Sequence, residues 1–232
     1  MRLDKFLKDT GFGSRKEVKI LIKQKRVSVN DTLVLNEGLS INEDKDVIKV
    51  DNNVVKYVKF VYIMLNKPKG VVSATVDNVH TTVIDLINEF KYLELFPVGR
   101  LDIDTEGLLL ITNDGVLSHN LLSPKKHVNK TYLLNTDMPL TLSDMKALEE
   151  GVYLDSELTL PAKIEKINDL EYLLTIHEGK FHQVKRMIEV VGKKVTYLKR
   201  VCFGPLVLDE DLKLGSYRFL TDDEISKLMK KD

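Results

Sequence analysis

Apolar positions near the N-terminus recur at helical spacing. Leu3, Phe6 and Leu7 share one face of a short helix, which Gly11-Phe12-Gly13 ends. Ser14-Arg15-Lys16-Glu17 then carries a capping-box signature: serine at the cap, and a glutamate three residues on to satisfy the free amides of a helix start. Val18, Leu21 and Ile22 form the apolar stripe of that second helix, while Arg15, Lys19 and Lys23 recur every four residues along another face. Short strand-like runs follow at 26–29, 32–35 and 47–50. The pattern predicts a compact helix–helix–strand unit over residues 1–58.

A larger unit is predicted over residues 59–232. It has strand-like runs at 60–65, 107–112, 130–135, 172–177 and 194–201. Helical spacing occupies 82–90, 115–122, 143–150 and 182–191, and Thr221 with Glu224 opens a terminal helix. Strands and helices alternate irregularly between frequent turn signals, which predicts an α+β fold with a mixed sheet.

Composition changes this picture little, and the placement of charge changes it more. Apolar residues make up 43% and charged residues 30% of the chain, as in ordinary globular proteins. No apolar run approaches the roughly 18 residues that span a bilayer. The single cysteine, Cys202, sits in an apolar run and reads as a small packing residue, which points to a reducing compartment, the cytoplasm. Basic and acidic residues balance at 35 each. Residues 1–30 nevertheless hold nine Lys or Arg against three acids, a net of +6, so the remainder carries −6. Arg15, Lys19 and Lys23, with Arg2, Lys5 and Arg26 nearby in sequence, could neutralise phosphates without reading bases. A solvated helix face is the other reading.

Three further segments could carry chemistry. In Gly99-Arg100-Leu101-Asp102-Ile103-Asp104-Thr105-Glu106-Gly107, three acids within five positions fit a loop between strands, an oxygen-ligand metal site, or a lone nucleophilic carboxylate. In the last case Arg100 would serve substrate phosphates or bases. In Glu178-Gly179-Lys180-Phe181-His182-Gln183-Val184-Lys185-Arg186-Met187, Lys185 falls near a helix start, where the dipole disfavours a cation and an acidic partner would compensate. His182, taken alone, reads as a structural polar residue. Tyr132, in Lys130-Thr131-Tyr132, is by default a packing residue, and functionally a flat face on which a base can stack. No phosphate-binding loop and no zinc-like Cys/His spacing occurs.

Taken in order, these segments resemble a known family. Leu65-Asn66-Lys67-Pro68-Lys69-Gly70, Val98-Gly99-Arg100-Leu101-Asp102 with Thr105-Glu106-Gly107-Leu108-Leu109, Thr112-Asn113-Asp114-Gly115, Lys130-Thr131-Tyr132, the Glu178–Met187 stretch, and Leu198-Lys199-Arg200 before Gly204-Pro205-Leu206 resemble the RsuA-type bacterial rRNA pseudouridine synthases. The first thirty residues resemble the small RNA-binding domain of ribosomal protein S-four. Lys25 and Asp31 depart from that domain's pattern, standing where glycine is usual.

The resemblance implies a largely antiparallel mixed sheet and a set of roles. Asp102 would be the nucleophile. Tyr132 would stack on the flipped uracil and share in proton transfer, and Lys185 would pair with Asp102 and keep it ionised. Leu198 and Ile176 would wall the base, and Arg100 would fill the gap left by the extruded nucleotide. The reaction is redox-neutral with no net gain of atoms, so no cofactor and no metal are expected. The implied partner is ribosomal RNA or a pre-ribosomal small subunit, met by a monomer away from any membrane. With no basic tail after Thr221, the chain is most similar to the enzyme of small-subunit (16S) rRNA, the uridine-516 type of activity. A large-subunit (23S) enzyme, a non-catalytic rRNA-binding protein and a metal-dependent hydrolase on Asp102, Asp104 and Glu106 are the alternatives.

Overall fold

The structure is a computed structural model that describes residues 1–123 and 126–230. It forms two compact units: residues 1–60 with 88–94, and residues 61–87 with 95–232.

In the first unit, α1 (Leu3–Asp9) and α2 (Arg15–Lys23) pack on a four-stranded antiparallel sheet of β1 (Val27–Val29), β2 (Thr32–Leu33), β3 (Ile48–Val50) and β4 (Asn53–Val54), in the order β2-β1-β3-β4. Leu3, Phe6, Leu7, Val18, Ile22, Val27 and Ile48 fill the core between them. The capping box at Ser14 forms: the serine hydroxyl oxygen accepts the Glu17 amide, and the Ser14 amide donates to Glu17 at 2.7 Å. Lys25 leaves α2 with φ of 60°, taking the left-handed conformation that glycine adopts more cheaply. Asn30-Asp31 and Asp51-Asn52 both have two positive φ angles, as required of two-residue hairpins whose twist matches their strands.

The second unit is built on a nine-stranded sheet. In chain order its elements are β5 (Tyr62–Lys67), β6 (Phe96–Pro97), β7 (Glu106–Thr112), α3 (Gly115–Leu122), β8 (Lys130–Thr136), α4 (Leu142–Glu150), the β9 (Tyr153–Leu154)/β10 (Glu157–Leu158) hairpin, β11 (Lys163–Lys166), β12 (Glu171–Ile176), α5 (Gln183–Val190), β13 (Val195–Phe203), β14 (Leu206–Val207), β15 (Tyr217–Phe219) and α6 (Asp222–Met229). The sheet runs β11-β12-β8-β13-β7-β5-β15, with β14 on β13 and β6 on β7. Its pairings are antiparallel except β7 with β13, so the sheet is mixed and largely antiparallel, as the resemblance implies. All seven residues of β7 are buried at its centre. Gly107 has φ of 102°, and a Cβ there would stand 2.2 Å from the Arg200 carbonyl oxygen. Only a glycine lets β7 approach β13 this closely. Tyr62, Met64, Leu108, Leu110, Leu117, Leu121, Phe203 and Leu228 form the core beneath α3 and α6.

The helix predicted over 82–90 is absent. Thr82 and Asp85 form a capping-box pair, the Thr82 amide donating to Asp85 at 2.8 Å, but a single turn follows. Thr82 instead bridges Val72, and Phe90 has φ of 56°. Val83, Ile87 and Phe90 carry helical spacing, yet Val83 and Ile87 are buried in the second unit while 88–94 packs with the first. No helix among the described residues is long and apolar enough to cross a membrane.

Candidate active site

The segment between β6 and β7 holds Asp102, and its backbone is fixed from two sides. Ser73 Oγ accepts the Leu101 amide at 3.0 Å and donates to the Leu101 carbonyl at 2.8 Å. The Gly70 amide donates to the Ile103 carbonyl at 2.7 Å. From the end of β5, the ammonium of Lys67 donates to the carbonyls of Pro68 (3.1 Å), Asp102 (3.0 Å), Ile103 (3.4 Å) and Thr105 (2.9 Å). Lys67 is wholly buried, and that burial pushes its pKa down to about 8 despite the attraction of Asp102, Asp104 and Glu106.

Helix α5 supplies the counter-charge. Lys185 Nζ lies 2.9 Å from Asp102 Oδ2 and 2.6 Å from Asp104 Oδ1. Burial works against this ammonium, but the hydrogen bonds to Asp104 and Asp102 outweigh it and raise its pKa. For Asp104, burial opposes and the Lys185 hydrogen bond prevails, so its pKa is lowered. The two carboxylates therefore offset the unfavourable helix-start position of Lys185. His182 caps α5 with φ of 49° and places Nε2 3.6 Å from Asp102 Oδ1. Glu106 engages elsewhere, accepting from the Tyr197 hydroxyl at 2.8 Å. Asp102 and Asp104 thus converge on an ammonium.

The sheet supplies an apolar face. Register places Leu174, Tyr132 and Arg200 in one row across β12, β8 and β13, with Leu198 opposite Leu134 and Ile176 opposite Lys130. Directly opposed residues share a face, so Tyr132, Ile176 and Leu198 lie on the same one, exposed by 8%, 2% and 5%. No hydrogen bond or ion pair joins these three to Asp102 or Lys185 among the described residues. The link is β13 itself, whose Lys199 pairs with Glu106 at the start of β7, just beyond the Asp102 segment. Arg200 is buried on this face, its Nε donating to the Leu108 carbonyl at 2.8 Å and its guanidinium 5.0 Å from the Phe203 ring. Arg100 is exposed.

The six cations expected to grip RNA lie in the first unit, and four of them are already paired. Arg2 holds Asp4, Lys5 holds Asp9, Lys19 holds Glu37 at 3.3 Å and Arg26 holds Asp51 through two hydrogen bonds. Arg15 and Lys23 make no ion pair among the described residues. The sequence alone did not single out Lys67, Ser73 or Asp104, the second partner of Lys185, as contacts of the Asp102 segment. The Lys67 motif was visible, but nothing local marks a lysine as buried.

Residues 61–190 match the RNA pseudouridylate synthase family, and residues 1–47 match the S4 domain. The chain belongs to the RNA pseudouridylate synthase family. It is 47% identical over 234 residues to an uncharacterized RNA pseudouridine synthase, YtzG, of Bacillus subtilis (strain 168), with 98% of each chain covered. It is 40% identical over 231 residues to the ribosomal small subunit pseudouridine synthase A of Escherichia coli (strain K12), covering 99% of this chain and 100% of that one. Among solved structures, a crystal structure of pseudouridylate synthase superposes with a TM-score of 0.71 at 39% identity, over 99% of this chain and 100% of the other.

Proposed function

We propose that the chain isomerises a uridine of small-subunit rRNA to pseudouridine, an activity of the uridine-516 type, with Asp102 as nucleophile. The observation that carries the reading is the Asp102–Lys185 pair, at 2.9 Å on the segment that Lys67 and Ser73 fix. Full-length similarity to small-subunit enzymes supports the choice of RNA. Residues 1–58 grip the RNA and residues 59–232 do the chemistry, in the cytoplasm.

The base must leave its stack to be reached, which costs a few kcal/mol. Tyr132, with Ile176 and Leu198, offers the flipped uracil a flat apolar wall, and Arg100 fills the vacated place. The carboxylate of Asp102 attacks the target nucleotide, and the bond from sugar to ring nitrogen breaks. The uracil turns, a bond forms from the sugar to a ring carbon, and that carbon's proton is lost while the freed nitrogen gains one. Tyr132 serves in that proton movement, and release of Asp102 returns the enzyme unchanged. Lys185, 2.9 Å from its Oδ2, holds the carboxylate oriented throughout.

Pseudouridine mapping of rRNA from cells lacking the gene tests this. One small-subunit site is expected to be missing, restored by wild type and not by Asp102→Asn. Loss of a large-subunit site instead would refute the substrate, and rescue by Asp102→Asn would refute the nucleophile. Lys185→Ala is expected to lower kcat on the order of 100-fold, the usual scale for removing one preorganised charge partner. Single-turnover assays on a small-subunit rRNA transcript check it.

A further inference from the structure

Phe181 is 74% exposed and immediately precedes the histidine that faces Asp102. One exposed phenylalanine means little by itself. This one is held rigidly. The buried Gln183 clamps the loop that carries it, accepting the Lys180 amide at 2.9 Å and donating to Glu178 Oε1 at 2.8 Å, while Glu178 Oε1 also accepts the Leu160 amide at 3.0 Å. The phenyl ring stacks on the imidazole of His182, with centroids 3.8 Å apart and an interplanar angle of 20°. His182 holds that position in a left-handed conformation that L residues seldom adopt. One face of the phenyl ring is therefore covered, and its exposure lies on the other. The imidazole it stacks on places Nε2 3.6 Å from Asp102 Oδ1.

We propose that Phe181, backed by His182, is a stacking platform for one base of the substrate RNA that neighbours the uridine being isomerised. The inference rests on the reading of Asp102 as nucleophile. The uridine itself has its wall at Tyr132, Ile176 and Leu198, all buried on the sheet, whereas Phe181 stands outside that wall in solvent. Extruding a nucleotide strips its neighbours of a stacking partner, and a fixed aromatic face beside the site replaces it. A single free ring face seats a single base. Because every base has a π-face, the contact adds affinity with little base preference.

Steady-state kinetics of Phe181→Ala, Phe181→Leu and Phe181→Trp on a small-subunit rRNA transcript test the platform, beside Asp102→Asn. Loss of one stacked base is expected to raise KM about 5- to 150-fold in Phe181→Ala, with kcat within about threefold of wild type. Phe181→Trp should recover wild-type KM and Phe181→Leu should not. The melting temperature should hold in all three, since the ring is exposed. Wild-type KM in Phe181→Ala, rescue by leucine as full as by tryptophan, or a loss confined to kcat would each overturn the platform. An active Asp102→Asn would overturn the underlying reading, whatever Phe181 does.

Discussion

Lys67 brings a charge into the buried interior, and backbone carbonyls on the Asp102 segment accept its hydrogen bonds. Its pKa falls from 10.5 to about 8, so between those values the unfolded chain binds a proton that the folded chain has released. Stability from this group therefore rises with pH across that window, and below about pH 8 the folded state bears the full cost of the buried charge. The unfolding free energy of wild type minus that of Lys67→Met is expected to be flat below pH 8 and to climb from about 8 to 10.5 in urea titrations. Turnover should move the opposite way. A neutral amine has two protons to donate in place of three, so the Asp102 segment slackens and kcat falls along an alkaline limb near pH 8. A pH–rate profile without that limb would remove Lys67 from the positioning of Asp102. At this scale the sequence was only partly legible. Asp102 was one of three plausible acids, and its neighbour Asp104 meets Lys185 across 81 positions, a distance no local pattern bridges.

Elements were most legible where hydrogen bonds are local. The capping boxes at Ser14/Glu17 and Thr221/Glu224 both form, because cap and partner lie three residues apart. The helix over 82–90 failed although Thr82 and Asp85 make the same pairing, since what continues a helix is burial of its stripe in one core. Strands β9, β10, β14 and β15 went unseen, being two or three residues long with no alternation to register. Glu224 shows how much a cap can carry. It accepts two hydrogen bonds from Arg218 at 2.8 Å as well as the Thr221 amide, and the Arg218 bonds, against burial, hold its pKa down to about 2. A lowered carboxylate pKa contributes stability above 4.5 that is lost as pH falls toward 2. Glu224→Gln is expected to cost about 1–2 kcal/mol at neutral pH. That difference should shrink as pH falls below 4.5 and vanish only below about pH 2, as chemical denaturation can measure. A pH-independent difference would mean that the charge is not what holds α6.

Across the whole molecule the sequence disclosed a polarised charge, +6 within thirty residues, but not which cations are free. Their partners Glu37 and Asp51 arrive from β-hairpins and turns further along the chain. Of the six cations proposed to grip RNA, Arg15 and Lys23 are the two in no ion pair among the described residues. Replacing both with alanine should weaken RNA binding and reduce the slope of log K against log salt by about 2. Arg26→Ala should leave that slope unchanged and lower the melting temperature. Filter binding at several salt concentrations distinguishes the two, and an unchanged slope in the double variant would place the grip elsewhere.

The pairing of β5 with β15 also governs how the chain comes into being. Asn66 reaches across 146 positions to the Leu212 carbonyl, and its backbone bonds Gly215 and Ser216. During translation at roughly 5–20 residues per second, that outer edge of β5 waits roughly 7–30 s for its neighbour to emerge. An apolar strand with an open edge invites pairing with other chains. The second unit is thus exposed to aggregation as a nascent chain until β15 emerges to cover that edge.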